Sequence, residues 1–228
     1  MNPTPTLSCT GLTAGYGTTA VIGPVAMKLD PGEILAVVGG NGAGKSTLLR
    51  TLVGQQQPLS GSVSVLGRPL DERTASFRAA VSQVFDDDAF FPSLTAAEHL
   101  LVLAAGHAVR DPADAVAATL EEFGIGQEAD SFPYALSSGQ RRRLLLASAF
   151  VRPHSLLVLD EPEQRLDAAM RVRLADILVA DAQDGGATVM ACHDPLLIRS
   201  CASTALILAD GQALAAGPED AARHLEEL

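Results

Sequence analysis

The chain has 228 residues, 47% of them apolar, which suits one large folded domain, or a domain with a small insert, and excludes a disordered chain. A formal net charge of −11 argues against non-specific nucleic-acid binding and against an unaided hold on an anionic membrane. No apolar run approaches the roughly 18–20 residues of a membrane span. Cys9, Cys192 and Cys201 are too scattered for a disulfide or metal framework, and Met1–Thr6 carry no signal core, so a cytosolic chain without direct membrane insertion is expected.

In chain order, Leu7–Gly11 and Ala20–Leu29 read as an antiparallel pair with Gly15-Tyr16-Gly17 between them. Pro31-Gly32 turns into Ile34–Val38, an apolar run of buried-strand type. Next comes Gly39-Gly40-Asn41-Gly42-Ala43-Gly44-Lys45-Ser46-Thr47, which fits G-x-x-x-x-G-K-[ST] at every fixed position and opens a helix. Strand, glycine loop and helix start together cradle phosphate: backbone N–H groups turn inward, and the helix adds its positive end. Lys45 is then expected on the β- and γ-phosphates and Ser46 on Mg²⁺. Tyr16 suits either a turn or stacking on a nucleobase.

Gly61–Gly67 and Ala79–Phe85 follow as strands, the second running into Asp86-Asp87-Asp88. Residues 93–151 turn helical, with helices expected at Thr95–Ala105, Pro112–Phe123 and Gly139–Val151. Ser155–Leu159 is again a strand, ended by Asp160-Glu161-Pro162; a helix over Asp167–Ala182 and a strand over Ala187–Ala191 come next. Ser203–Ala209 is expected as the last long strand and Pro218–Leu228 as a terminal helix. Strands alternating with helices imply a mostly parallel sheet, with ligands at the carboxyl ends of its strands, where Gly39, Asp160 and His193 fall.

Asp160 in such a place helps to hold Mg²⁺, and Glu161 beside it can take a proton from an attacking water. His193 could touch the γ-phosphate or be structural. Leu136-Ser137-Ser138-Gly139-Gln140 precedes a helix and forms a second anion-ready turn. At least two of Arg141, Arg142 and Arg143 read as a solvated face.

Together these motifs resemble the nucleotide-binding domain of the ABC (ATP-binding cassette) superfamily over essentially the whole length. The resemblance implies an α/β P-loop NTPase core with an N-terminal antiparallel β subdomain and an all-helical insert. Residues 1–92 and 152–228 would form the core and 93–151 the signature subdomain of a single 1–228 domain. It makes Tyr16 the adenine-stacking residue and Gly39–Thr47 (Gly39, Gly40, Asn41, Gly42, Ala43, Gly44, Lys45, Ser46, Thr47) the ATP cradle. Lys45, Glu161 and His193 would be the catalytic groups. Ser137, Ser138, Gly139 and Gln140 would be the signature, which contacts the ATP of a partner copy. ATP and Mg²⁺ would be the cofactors, with Mg²⁺ on Ser46, Asp160 and either Asp86 or Gln83. The implied assembly is a head-to-tail homodimer, or a heterodimer with another ABC ATPase, on the inner face of the cell membrane through an integral-membrane permease.

Two departures stand out. Asp86 occupies the position where the family carries a Q-loop glutamine, and Glu163-Gln164-Arg165 replaces small or hydroxyl residues before Leu166-Asp167. The acidic run Asp86–Asp88 is expected to face a basic segment of the permease. A short insert and no long tail after Leu228 lean toward an exporter. The alternatives are a soluble ABC ATPase for a non-transport complex, such as a cluster-assembly scaffold, and a cassette that binds ATP without hydrolysing it.

Overall fold

The structure, a computed structural model, describes residues 4–85 and 89–228. Asp86, Asp87 and Asp88 lie outside the described residues, and with them the Q-loop candidate Asp86.

Strands β1 (Leu7–Tyr16) and β2 (Thr19–Leu29) form a hairpin that pairs Tyr16 with Thr19. β1 is longer than its apolar run implies and carries Tyr16 at its end. Gly15 permits this, because a Cβ there would lie 2.0 Å from the Thr19 carbonyl oxygen across the hairpin. β3 (Ile34–Val38), helix α1 (Lys45–Leu52), β4 (Ser60–Val65) and β5 (Arg68–Pro69) follow. α2 (Ala75–Ala80) runs directly into β6 (Val81–Val84). Ala79 and Ala80, expected in the strand, instead close this short helix, which Thr74 caps by accepting the Phe77 N–H.

Between β6 and β7 the described residues form only helices and 3₁₀ turns: α3 (Ala96–Gly106), α4 (Pro112–Glu122), turns at Gly126–Glu128 and Pro133–Ala135, and α5 (Ser138–Phe150). A Thr95–Glu98 capping box starts α3. β7 (Leu156–Asp160), α6 (Ala168–Gln183), β8 (Ala187–Ala191), α7 (Pro195–Cys201), β9 (Thr204–Ala209), β10 (Gln212–Ala216) and α8 (Pro218–Glu226) complete the chain. The expectation that Ser203–Ala209 is the last strand fails: Asp210 and Gly211 reverse the chain with positive φ, and β10 pairs back on β9.

Two sheets result. The smaller is antiparallel, in the order β2-β1-β4-β5; the larger has six strands in the order β10-β9-β3-β8-β7-β6, all parallel except β10. Every residue of β3, β7 and β8 is buried, as a parallel strand covered on both faces requires. The two faces of β3 serve two cores. Leu35 and Val37 join Leu48, Leu49 and Leu52 of α1 and the apolar side of the small sheet. Ile34, Ala36 and Val38 face the core shared with Leu100, Phe123, Leu144 and Leu178. α1 is thus clamped between the sheets, which fixes where the loop before it ends.

The register sets the functional edge. Asp160 is paired with Ala191, and Ala191 with Val37, so the residues that follow these three strands leave the sheet side by side. The three cysteines are buried and free. Burial pushes the Cys9 thiol to about 11 and the Cys201 thiol to about 12, so neither is a nucleophile at neutral pH.

Leu48 has no solvent exposure at the centre of the α1 clamp. Leu48→Ala should lower unfolding free energy by about 2–5 kcal/mol, read from urea denaturation midpoints at unchanged slope.

Candidate functional site

The loop between β3 and α1 is moulded onto the sheet. A Cβ on Gly39 would come within 2.4 Å of the Leu208 carbonyl oxygen, at a φ of +150°. Gly44, at φ 98°, opens α1 with no side-chain cap, so the first N–H groups of the helix are left for an anion. Lys45 is buried, and its Nζ donates to the carbonyls of Gly39 at 3.0 Å and Gly40 at 3.1 Å. Burial lowers its pKa, against the pull of the Glu161, Asp160 and Glu163 charges. Beside the loop stands Tyr16, 61% exposed, with its hydroxyl 3.2 Å from the Thr47 Oγ1.

Asp160 is buried at the end of β7, and the Ser46 side chain hydrogen-bonds to it. Burial raises its pKa and the Glu161 charge adds to this; the Ser46 bond and the Arg50 and Lys45 charges oppose it. One of its carboxylate oxygens, Oδ1, is buried without a partner. A hydroxyl beside a carboxylate with a spare oxygen fits a hard divalent cation such as Mg²⁺. Among the described residues no group of three or more His, Cys, Asp or Glu could hold an ion unaided. That suits an ion that takes its other ligands from phosphate and water.

Glu161 extends the edge, donating its N–H to the Ala191 carbonyl at 2.9 Å, and turns the chain with φ 48°. Its Oε1 lies 3.2 Å from the His193 Nε2, without hydrogen-bond alignment, and its Oε2 accepts from the Gln164 amide. A cleft of 640 Å³ opens here, with Asn41, Glu161, Gln164, Arg171, His193 and Asp194 among its lining. Asp194 caps α7 by accepting the Leu196 and Leu197 N–H groups and pairs with Arg171 at 3.1 Å, which fixes the far side of His193.

The arginine run is not a solvated face. Arg142 is 4% exposed, and its Nη2 donates to the Asp160 and Glu161 carbonyls, both at 2.7 Å. Arg141 donates to the Leu136 carbonyl at 2.7 Å; Arg143 bonds the Gly124 carbonyl and pairs with Asp167. The signal for Arg142 was available: it lies on the buried stripe of α5 with Leu145, Leu146 and Ala149. Gln164 and the buried Glu163, marked in the sequence only as a departure from the family, follow the acid pair after Pro162 and were not expected to contact its surroundings.

Ser137 caps α5, accepting the Gln140 N–H at 3.2 Å while the Gln140 Oε1 accepts the Ser137 N–H at 2.8 Å. The Gln140 amide also donates to Glu128 at 2.7 Å, so both ends of that side chain are engaged internally. The Ser137 hydroxyl keeps its own hydrogen to donate. Gly139 lies against the turn after β7: a Cβ on it would be 3.0 Å from the Arg165 carbonyl. Ser137, Ser138, Gly139 and Gln140 do not line the cleft beside Glu161 and His193. Nor does Gln83, which lies on β6 and lines a separate groove with His107 and Arg152.

Residues 22–164 match the family described as ABC transporter. The chain is 34% identical over 90% of its length to the cytochrome c biogenesis ATP-binding export protein CcmA of Alkalilimnicola ehrlichii, covering 88% of that protein. It is 37% identical over 82% of its length to the thiamine import ATP-binding protein ThiQ of Cereibacter sphaeroides, covering 82% of it. An ABC transporter ATP-binding protein of Streptomyces avermitilis is 38% identical over 94% of the chain, which spans only 38% of that relative's length. A solved ATP-binding subunit of an ABC transporter superposes with a TM-score of 0.85 at 25% identity, covering 96% of this chain and 93% of the other.

Arg142→Met keeps most of the unbranched stem but leaves two carbonyls at the cleft without their donor. It should lower unfolding free energy by about 2–4 kcal/mol and ATP turnover at least tenfold, measured by urea denaturation and phosphate release.

Proposed function

The chain belongs to the ABC transporter family of ATP-binding domains, and from that premise we propose that it is the ATP-hydrolysing subunit that powers movement across a membrane through a separate permease chain. The observation that carries this reading is the convergence of Lys45, Ser46, Asp160, Glu161 and His193 at one edge of the parallel sheet.

The α1 N–H groups and Lys45 would hold the β- and γ-phosphates, Lys45 exchanging its two loop carbonyls for phosphate oxygens. Ser46 and Asp160 would hold Mg²⁺, which when bound neutralises charge on the phosphates. Glu161, its carboxylate flanked by Gln164 and His193, takes the proton of the attacking water. His193 steadies Glu161 and reaches toward the γ-phosphate. Tyr16, exposed beside Thr47, offers its ring to the adenine.

Catalysis of this kind is mostly positioning and charge stabilisation, so the site needs closing. The Ser137 hydroxyl of a second ATPase subunit, identical or related, would close it. The groove that Gln83, His107 and Arg152 line is a suitable seat for a cytoplasmic segment of the permease, which would hold the protein at the inner face of the membrane. The relatives include subunits named for export and for import, so direction of transport is assigned to the permease and not to this chain. It is read most directly from the permease, through co-purification with a multi-span membrane protein.

Glu161→Gln keeps shape and removes the base. The variant should bind ATP, dimerise with it on size exclusion, and release phosphate about 100-fold more slowly or worse. Near-normal turnover would remove Glu161 as the base.

A further inference from the structure

Glu163 has no part in the nucleotide chemistry above, yet it is a carboxylate placed where a carboxylate is costly. It is 6% exposed, and its Oε2 is buried without a partner. Its Oε1 accepts the backbone N–H of His193 at 2.6 Å. Burial raises its pKa; the N–H groups of His193 and of Glu163 itself and the Cys192 thiol pull the other way, while the Glu161 charge adds to the rise.

The geometry gives this contact a purpose. Glu163 sits in a tight turn that Glu161 at φ 48° and Arg165 at φ 61° bracket, with the Gln164 N–H on the Glu161 carbonyl and the Leu166 N–H on that of Glu163. Glu163 points inward from this turn, whereas Gln164 and Arg165 are exposed. His193 therefore meets the turn twice: its backbone N–H on Glu163 and its imidazole beside Glu161. The neighbouring bonds do not substitute for the first, because Asp194 is committed to α7 and to Arg171.

We propose that Glu163 is a positioning residue: by accepting the His193 N–H, it fixes the backbone from which the imidazole reaches Glu161, and it ties the exposed Gln164–Arg165 turn to His193. The proposal rests on the reading of Glu161 as the base.

The test uses the full chain. Glu163→Gln keeps an acceptor of the same shape; Glu163→Met keeps the bulk and removes the acceptor. Phosphate release should give a kcat for Glu163→Gln within about threefold of wild type and a loss of about tenfold or more for Glu163→Met. Affinity for a non-hydrolysable ATP analogue should stay within about twofold in both, since no phosphate contact is lost. Three results would overturn the proposal: a Met variant with wild-type kcat, equal losses in both variants, or affinity falling in step with kcat. Amide hydrogen exchange at His193 in the wild-type chain needs no variant to fold. The proposal expects protection there, and exchange at the rate of an exposed loop would sink it. That measurement also separates it from its premise: a wild-type chain without ATPase activity refutes the premise, while a protected His193 N–H leaves the contact standing.

Discussion

The structure depends on how β3, β7 and β8 end. All three are parallel, fully buried and in register, so their carboxyl ends leave the sheet at one edge. Backbone groups there have run out of neighbouring strand and must find other partners. The Asp160 and Glu161 carbonyls find the buried guanidinium of Arg142, which α5 contributes. A helix from the segment between β6 and β7 thus completes the end of a strand in the sheet, and the chemistry at that end depends on the packing of both.

The same edge concentrates charge out of water. Lys45, Asp160 and Glu163 are all buried, with Glu161 and His193 half-exposed beside them. Burial opposes ionisation in each of the three, pulling Lys45 down and the two carboxyls up. Their mutual attraction offsets part of that cost. The offset is incomplete, as the spare oxygens of Asp160 and Glu163 show. An apolar edge would fold more cheaply; this one retains charges that suit a cation and a polyanion arriving together.

Among the described residues, the starts of α1 and α5 both suit anions, and they differ in how they are capped. α1 begins without a side-chain cap, so its N–H groups are available at once. α5 begins with a closed capping box in which Ser137 and Gln140 satisfy each other. α5 still offers the Ser137 hydroxyl hydrogen and the N–H groups of Ser138 and Gly139, which the capping box does not use.

Much of the fold was legible because its signals are local. The apolar runs Ile34–Val38, Leu156–Leu159 and Ala187–Ala191 became the central strands, and the glycine loop fell between β3 and α1. Pro112 and Thr95 marked helix starts correctly. The misses were short or weakly patterned elements, α2, β5, α7 and β10, whose stability comes from tertiary packing. Within the site, the places of Lys45, Ser46, Asp160 and Glu161 were readable from the glycine loop and the strand end, whereas a role for His193 was implied only by the family resemblance. The duties of Arg142, Glu163 and Gln164 were not readable. An arginine in a run of three and a glutamate in a turn look like solvent-facing charges until the partners are known, and those partners lie 18 to 30 residues away along the chain. The order of residues determines which groups can bind a phosphate, because that chemistry is carried by a contiguous loop. Which buried charges hold the loop's neighbours in place is decided only by the three-dimensional packing, since desolvation and pairing depend on distance in space.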